Sequence, residues 1–308
     1  MYSKYSTDRD KRFAIRTDKL IDDNDNVLIK KYALFEEGMP HLKNMAYMYE
    51  KLKNRYDSKI FISESYMDGE TLNNKYVSGL SYHKYIVGLI DKKDVEILKA
   101  ELNHYRDTIY YDSNPLKDFE ITPGFIEVFG DVDELKNERL LSSNVTDIDM
   151  IFDNIIVSES GKWNLIDYEW SFEFPIPNKF VLFRTLWYLY DSTRMEDVIS
   201  WEDILKWADI SSAVAECFLR MEIRFQEYIM GDTVSVEGQM LKRETSVKYF
   251  NQIIEKEQTF DESEDYKRKY YELIHEYEAA MEIKKYKRYE ELLEEFEKLR
   301  EIYIKKEF

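Results

Sequence analysis

The chain has 308 residues, 44% of them hydrophobic and 15% aromatic, which supports a folded core in one large domain or two modest ones and excludes a disordered protein. A net charge of −18 disfavours nucleic acid and anionic lipid as partners, so an anionic ligand needs a metal ion or local basic side chains. The single cysteine, Cys217, excludes an intrachain disulfide, and no apolar run approaches the ~20 residues of a membrane span or forms the core of a leader, so no span is expected and the expected compartment is the cytoplasm.

In chain order, FAIRT and VLIKKYAL flank the turn-prone DDNDN at 22–26 and predict a β-hairpin over 13–34. Leu42, Met45, Ala46, Tyr49 and Leu52 recur at three- and four-residue spacing and predict an amphipathic helix over 39–54. KIFISESY (59–66) reads as a third strand running into MDGETL, where Gly69 marks a turn and Glu70–Thr71 leads towards a helix. A long helix is expected over 82–111, with Ile86, Leu89, Leu98 and Leu102 among its inward residues. The stretch 112–140 is mixed, and periodicity leaves its aromatic run GFIEVFG unassigned.

A strand IIV, a turn SESGK and a strand WNLI follow, ending in DYEW, and Pro175 and Pro177 make 171–179 an irregular connector. From 180 onward the pattern is helical: KFVLFRTLWYLYD, a run near 201–231 and another near 241–257. From Asp265 to the last residue there is neither proline nor glycine, and apolar residues sit three or four apart among Glu/Lys pairs. That predicts one long amphipathic helix or two, either packed on its own domain or serving self-association or partner docking; its middle is too irregular for a strict coiled coil.

The chemistry concentrates in DIDMIFDNIIVSESGKWNLIDYEW (147–170). Asp149 and Asn154 are spaced D-x4-N, Asn154 opens the IIV strand, and Asp167 closes the WNLI strand thirteen residues later. This is the order of a kinase catalytic loop followed by its metal aspartate. Phosphoryl transfer asks the protein for alignment and charge neutralisation: a carboxylate beside the acceptor hydroxyl, and oxygen ligands for Mg2+. A bland alternative is an acidic turn beside a hairpin. Nine glycines without a GxG exclude Walker-type and Rossmann-type phosphate loops, and four scattered histidines make no metal-ligand spacing.

These segments resemble the aminoglycoside phosphotransferase and choline kinase group of the protein-kinase-like superfamily. LIDYEW resembles its IDWE or IDFEY segment, DIDMIFDN its HGDxxxxN loop, YMDGETL its hinge and VLIKK its lysine-bearing strand, in family order over about 13–190. The resemblance implies ATP and Mg2+ as cofactors. It implies Asp149 as the base or hydroxyl-orienting carboxylate, Asn154 and Asp167 as metal ligands, and Lys31, with Lys30 as its rival, on the nucleotide phosphates. Glu50, nineteen residues after Lys31, is the implied partner of that lysine, with Glu36 and Glu37 as rivals. Residues 64–67, including Glu64, Tyr66 and Met67, would line the adenine. Arg184, in the following helix, reads as a structural ion-pair residue.

The chain departs from the family pattern at Asp147 and Ile148, where the family has histidine and glycine, and it has no glycine-rich loop. FPIPNKFVLFR after the hairpin is similar to kinase-like modules attached to bacterial surface-polysaccharide enzymes. The expectation is therefore an α+β, two-lobed protein-kinase-like fold with a long C-terminal helical extension. A β-rich lobe spans 1–66, a helical lobe with the catalytic hairpin 67–258, and an amphipathic tail 259–308. The expected function is a phosphotransferase acting on a hydroxyl of a small molecule or glycan; the competing expectation is a degenerate kinase-like scaffold.

Overall fold

The computed structural model describes residues 2–21, 26–57 and 59–231. The helix expected near 241–257 and the tail 259–308 lie outside the described residues.

Extended segments rich in β-prone residues begin the chain: β1 (Tyr2–Tyr5), β2 (Ile15–Ile21) and β3 (Val27–Ala33). The predicted hairpin is present, with β2 and β3 antiparallel from Ile15 opposite Ala33 to Ile21 opposite Val27. Helix α1 (Met39–Tyr56) follows, its proline in the first turn, where no backbone donor is needed. Ile15, Leu42, Met45 and Leu72 make a buried cluster, with Ala33, Met39, Ala46 and Met67 packed against it.

The predicted third strand divides in two. β4 (Phe61–Ile62) pairs in parallel with a strand of the later hairpin, whereas β5 (Ser65–Asp68) turns at Gly69 into β6 (Thr71–Lys75), which pairs with β3. The helix anticipated after Gly69 is thus a strand. At φ +60° Gly69 permits a tight β-turn, and TLNNK continues as an extended segment beside β3. The resulting sheet has the order β1-β2-β3-β6-β5.

The chain leaves this sheet after Lys75 and enters β7 (Leu80–Ser81). Gly79 makes that crossing possible, because a Cβ there would lie 2.3 Å from the Val157 carbonyl oxygen. The single helix expected over 82–111 is α2 (Tyr82–Asp91) and α3 (Val95–Ile109). Lys93 adopts a left-handed backbone, and the Asp94 side chain accepts from the Ile97 N–H, so the charged run DKKD at 91–94 ends one helix and starts the next.

β8 (Lys117–Asp118), α4 (Pro123–Phe129), β9 (Leu141–Ser143) and β10 (Thr146–Asp147) come next, and the unassigned GFIEVFG run proves helical, capped by the Thr122 hydroxyl. β11 (Ile155–Val157) and β12 (Trp163–Leu165) form the second predicted hairpin. They sit in a sheet ordered β4-β12-β11-β7. β13 (Ser171–Phe172) pairs with β10, and β14 (Ile176–Pro177) with β9. α5 (Asn178–Ser192), α6 (Trp201–Trp207) and α7 (Ser212–Met230) complete the described chain. The aromatic rings of Phe129, Phe180, Phe218 and Phe225 are all buried and contact one another between α4, α5 and α7. No described helix is long and apolar enough to cross a membrane.

Candidate active site

In the segment 147–154, a turn followed by a 3-10 helix, Asp147, Ile148, Met150 and Phe152 are buried, Asp149 is partly buried and Asp153 is exposed. The loop is fastened along its length. Ile148 N–H donates to the Trp170 carbonyl at 3.0 Å, the Tyr105 hydroxyl donates to the Met150 carbonyl at 2.6 Å, and Ile166 N–H donates to the Asn154 carbonyl at 2.8 Å.

Asp149 is held from two sides. Arg184, from α5, donates through Nη1 to Asp149 Oδ1 and to the Ile148 carbonyl, each at 2.9 Å, while its Nε donates to Glu222 on α7 at 2.9 Å. Asn154 Nδ2 donates to Asp149 Oδ2 at 3.0 Å and to its carbonyl at 2.8 Å, and lies 3.4 Å from the Asp167 carbonyl. Burial pushes the Asp149 carboxyl above its usual range, Arg184 opposes this, and nearby Asp167 adds to it. Burial also lowers Arg184, but Glu222, Tyr188 and Asp149 outweigh it and hold the guanidinium firmly charged.

Asp167 follows β12 with a left-handed backbone, φ 50°, a conformation an aspartate adopts at local cost and one that clusters at functional sites. Its side chain is 46% exposed. With Asn154 Nδ2 committed to Asp149 and Asp167 Oδ1 to Lys31, the atoms left to offer a cation are Asn154 Oδ1 and Asp167 Oδ2. Both are hard oxygen donors with open space beside Asp167, so the residues fit a Mg2+ ion that keeps several waters and phosphate oxygens.

Lys31 reaches this point from β3. It shares the α1-facing side of the strand with Ala33 and is 4% exposed, whereas Lys30 belongs to the opposite face. The Lys31 ammonium donates to Asp167 Oδ1 and lies 3.8 Å from Glu169 Oε2. Burial depresses the ammonium, but Asp167 and Glu169 overcome that and raise it.

Glu50 does not join Lys31. It is 64% exposed and its neighbour is Lys53, 3.9 Å away on the same helix. Glu36 and Glu37 are exposed in a 3-10 turn before α1. Near its start α1 turns His41 inward, and its Nε2 is 3.0 Å from Glu169 Oε1. His41 and Glu50 are nine positions apart, about 180° around a helix, so one inward implies the other outward. Arg9, from the loop between β1 and β2, also donates to Glu169 and sits over the Trp170 ring at 5.3 Å. Burial would raise the Glu169 carboxyl; Lys31, His41 and Arg9 together drive it well below the ordinary range.

Of the residues assigned to the adenine, Tyr66 and Glu64 are exposed on or beside the outer strand β5, and Met67 packs into the α1 cluster. The described geometry brings none of the three to the Lys31–Asp167 contact.

Asp147 is 1% exposed. Its Oδ1 accepts from the Asp149 N–H at 3.0 Å, and Oδ2 has no partner among the described residues. Burial, then the Asp149 charge, pushes its carboxyl well above the usual range, against the Asp149 N–H, Arg184 and Arg55. Sequence reasoning missed Glu169, His41 and Arg9, and placed Arg184 in an ion pair without its partners. One signal was present for Glu169: it is the second acid of DYEW, two positions after Asp167.

No family model and no curated protein matches the chain. Among solved structures it is similar to a choline kinase from Streptococcus pneumoniae at 15% identity, with 78% of this chain and 88% of that one covered and a TM-score of 0.44. It is similar to an ADP-bound aminoglycoside phosphotransferase at 12% identity, covering 79% and 90% of the two chains with a TM-score of 0.44. A macrolide 2'-phosphotransferase from Brachybacterium faecium matches at 9% identity over 84% and 93%, with a TM-score of 0.36.

Proposed function

We propose that the chain is a Mg-ATP-dependent phosphotransferase whose acceptor is a hydroxyl of a small molecule or glycan. One observation carries the reading: Lys31, remote in the chain, joins Asp149, Asn154 and Asp167 of the 149–167 segment in a single connected set of contacts.

In this reading Asp149 receives or orients the acceptor proton. Arg184 and Asn154 each occupy one of its oxygens, which fixes the carboxylate plane and leaves a lone pair for the hydroxyl. Its raised pKa strengthens it as a base. Lys31 neutralises phosphate charge, and Asn154 with Asp167 would hold the metal. Magnesium, when bound, supplies charge neutralisation across the phosphates. The surface-polysaccharide setting in the cytoplasm rests on the FPIPNKFVLFR resemblance, and the tail 259–308 is proposed as the element for self-association or partner docking.

A thermal-shift titration with ATP and Mg2+ tests nucleotide use, and transfer of labelled phosphate to a panel of sugars and amino alcohols tests the reaction. Asp149→Asn is expected to lower kcat by roughly 10²–10⁴-fold with the fold intact. Absence of any Mg-dependent nucleotide binding by the intact protein would overturn the proposal. A second reading, a non-catalytic scaffold, is favoured by Asp147 at the histidine position; phosphate transfer that disappears in Asp149→Asn rules it out.

A further inference from the structure

We propose that Glu169 is the residue that positions Lys31, in the part the family resemblance assigns to a glutamate on α1. The inference rests on the phosphotransferase reading only in naming Lys31 as the group that meets phosphate.

The geometry points there from three directions. Every α1 or pre-α1 carboxylate in question is turned away: Glu50 is on the outer face beside Lys53, and Glu36 and Glu37 are exposed. Lys31 has two carboxylates within reach, Asp167 and Glu169. Asp167 is the exposed one and offers the oxygens suited to a cation. Glu169 is 6% exposed and is fixed by groups from two other elements: His41 of α1 at 3.0 Å through Oε1, and Arg9 of the β1–β2 loop on the same oxygen. Oε2 is left facing the Lys31 ammonium at 3.8 Å. One carboxylate therefore ties the helix, the loop and the lysine strand to the segment that follows β12.

A consequence is that Lys31 keeps an anionic partner when Asp167 turns to other oxygen-seeking groups. A glutamate on α1 would make lysine placement depend on the position of that helix. Here the helix contributes through His41, which acts on Glu169 and not on the lysine itself.

The test uses the full chain with Glu169→Gln, Lys31→Met, the double variant and Glu50→Gln as the surface control. Two readouts are taken: affinity for a non-hydrolysable ATP analogue with Mg2+ by calorimetry, and covalent labelling of Lys31 by an amine-reactive reagent in the unliganded protein, read by mass spectrometry. Glu169→Gln is expected to weaken nucleotide binding by roughly 10–100-fold, the range for groups that orient a functional ligand. Adding it to Lys31→Met should weaken binding no further, because it acts through that lysine. Lys31 labelling should rise towards that of Lys30, and Glu50→Gln should change neither readout. His41→Gln, which loosens Glu169 without removing its charge, should shift both readouts in the same direction and provides the test if Glu169→Gln does not fold.

Wild-type nucleotide affinity and Lys31 labelling in folded Glu169→Gln, or additive losses in the double variant, would overturn the inference. If the wild type binds no nucleotide, the phosphotransferase reading fails, and the labelling arm alone then decides whether Glu169 holds Lys31.

Discussion

Arg184→Met removes one buried cation from between two carboxylates. The side chain keeps much of the arginine stem, so packing loss is small and the electrostatic loss can be isolated. Three hydrogen bonds of 2.9 Å disappear: to Glu222, to the Ile148 carbonyl and to Asp149. The Asp149 and Glu222 side chains are 18% and 9% exposed, so water replaces the guanidinium poorly. Removing one member of such a buried set costs about 3–5 kcal/mol, a large share of the ~5–15 kcal/mol that holds a domain folded.

The loss should depend on pH with a defined sign. Arg184 is the main influence keeping Asp149 down, so in the variant its already raised pKa rises further. A carboxyl raised in the folded state gives its full stability below the unfolded pKa, about 3.9, and loses it as pH rises through the folded value. The difference between variant and wild type should therefore be full at neutral pH and shrink towards pH ~4 as Asp149 takes up its proton. Urea unfolding at several pH values measures it, with Arg184→Met/Glu222→Met as the companion. The double variant should recover part of the loss, since one stranded charge has gone. A neutral-pH loss under ~1 kcal/mol, as for an exposed ion pair, or a loss independent of pH, would refute the placement of Arg184 as a buried clamp.

Two other substitutions probe the frame. Asp147→Asn keeps an acceptor for the Asp149 N–H and removes a buried acid whose ionisation the fold resists. The wild type should lose stability relative to it as pH rises, by at most ~1.4 kcal/mol per pH unit, and the two should converge towards acid; parallel stability profiles would contradict a raised Asp147 carboxyl. Gly79→Ala would drive a Cβ into the Val157 carbonyl and displace either the crossing or the β11–β12 hairpin. A loss of ~1–3 kcal/mol in denaturant unfolding is expected, and an unchanged midpoint would mean that the crossing adapts freely.

Much of the local structure was legible because its causes are local. The turn-prone DDNDN between β-prone runs specified the β2–β3 hairpin, and three- and four-residue apolar spacing specified α1. The order of Asp149, Asn154 and Asp167 around a second hairpin was written in the chain because a hairpin fixes separations over a dozen residues. Boundaries were less legible. The charged run DKKD at 91–94 interrupts the apolar spacing, and the left-handed Lys93 with the Asp94 cap divides α2 from α3 there. KIFISESY reads as one strand, yet its halves join different sheets, since strand pairing is chosen by partners remote in sequence.

The sequence by itself determined which residues could do chemistry and the spacing of the three on the 147–167 loop. Tertiary structure alone decided how they are partnered. Lys31 and Asp167 are 136 positions apart, and their meeting depends on how β3 lies relative to the end of β12. The choice between Glu50 and Glu169 turned on the rotation of α1 about its own axis. That rotation is set by burying Leu42, Met45 and Leu52, and it carries His41 inward and Glu50 out. A helix presents all its faces equally in sequence; packing chooses which of them the lysine can see.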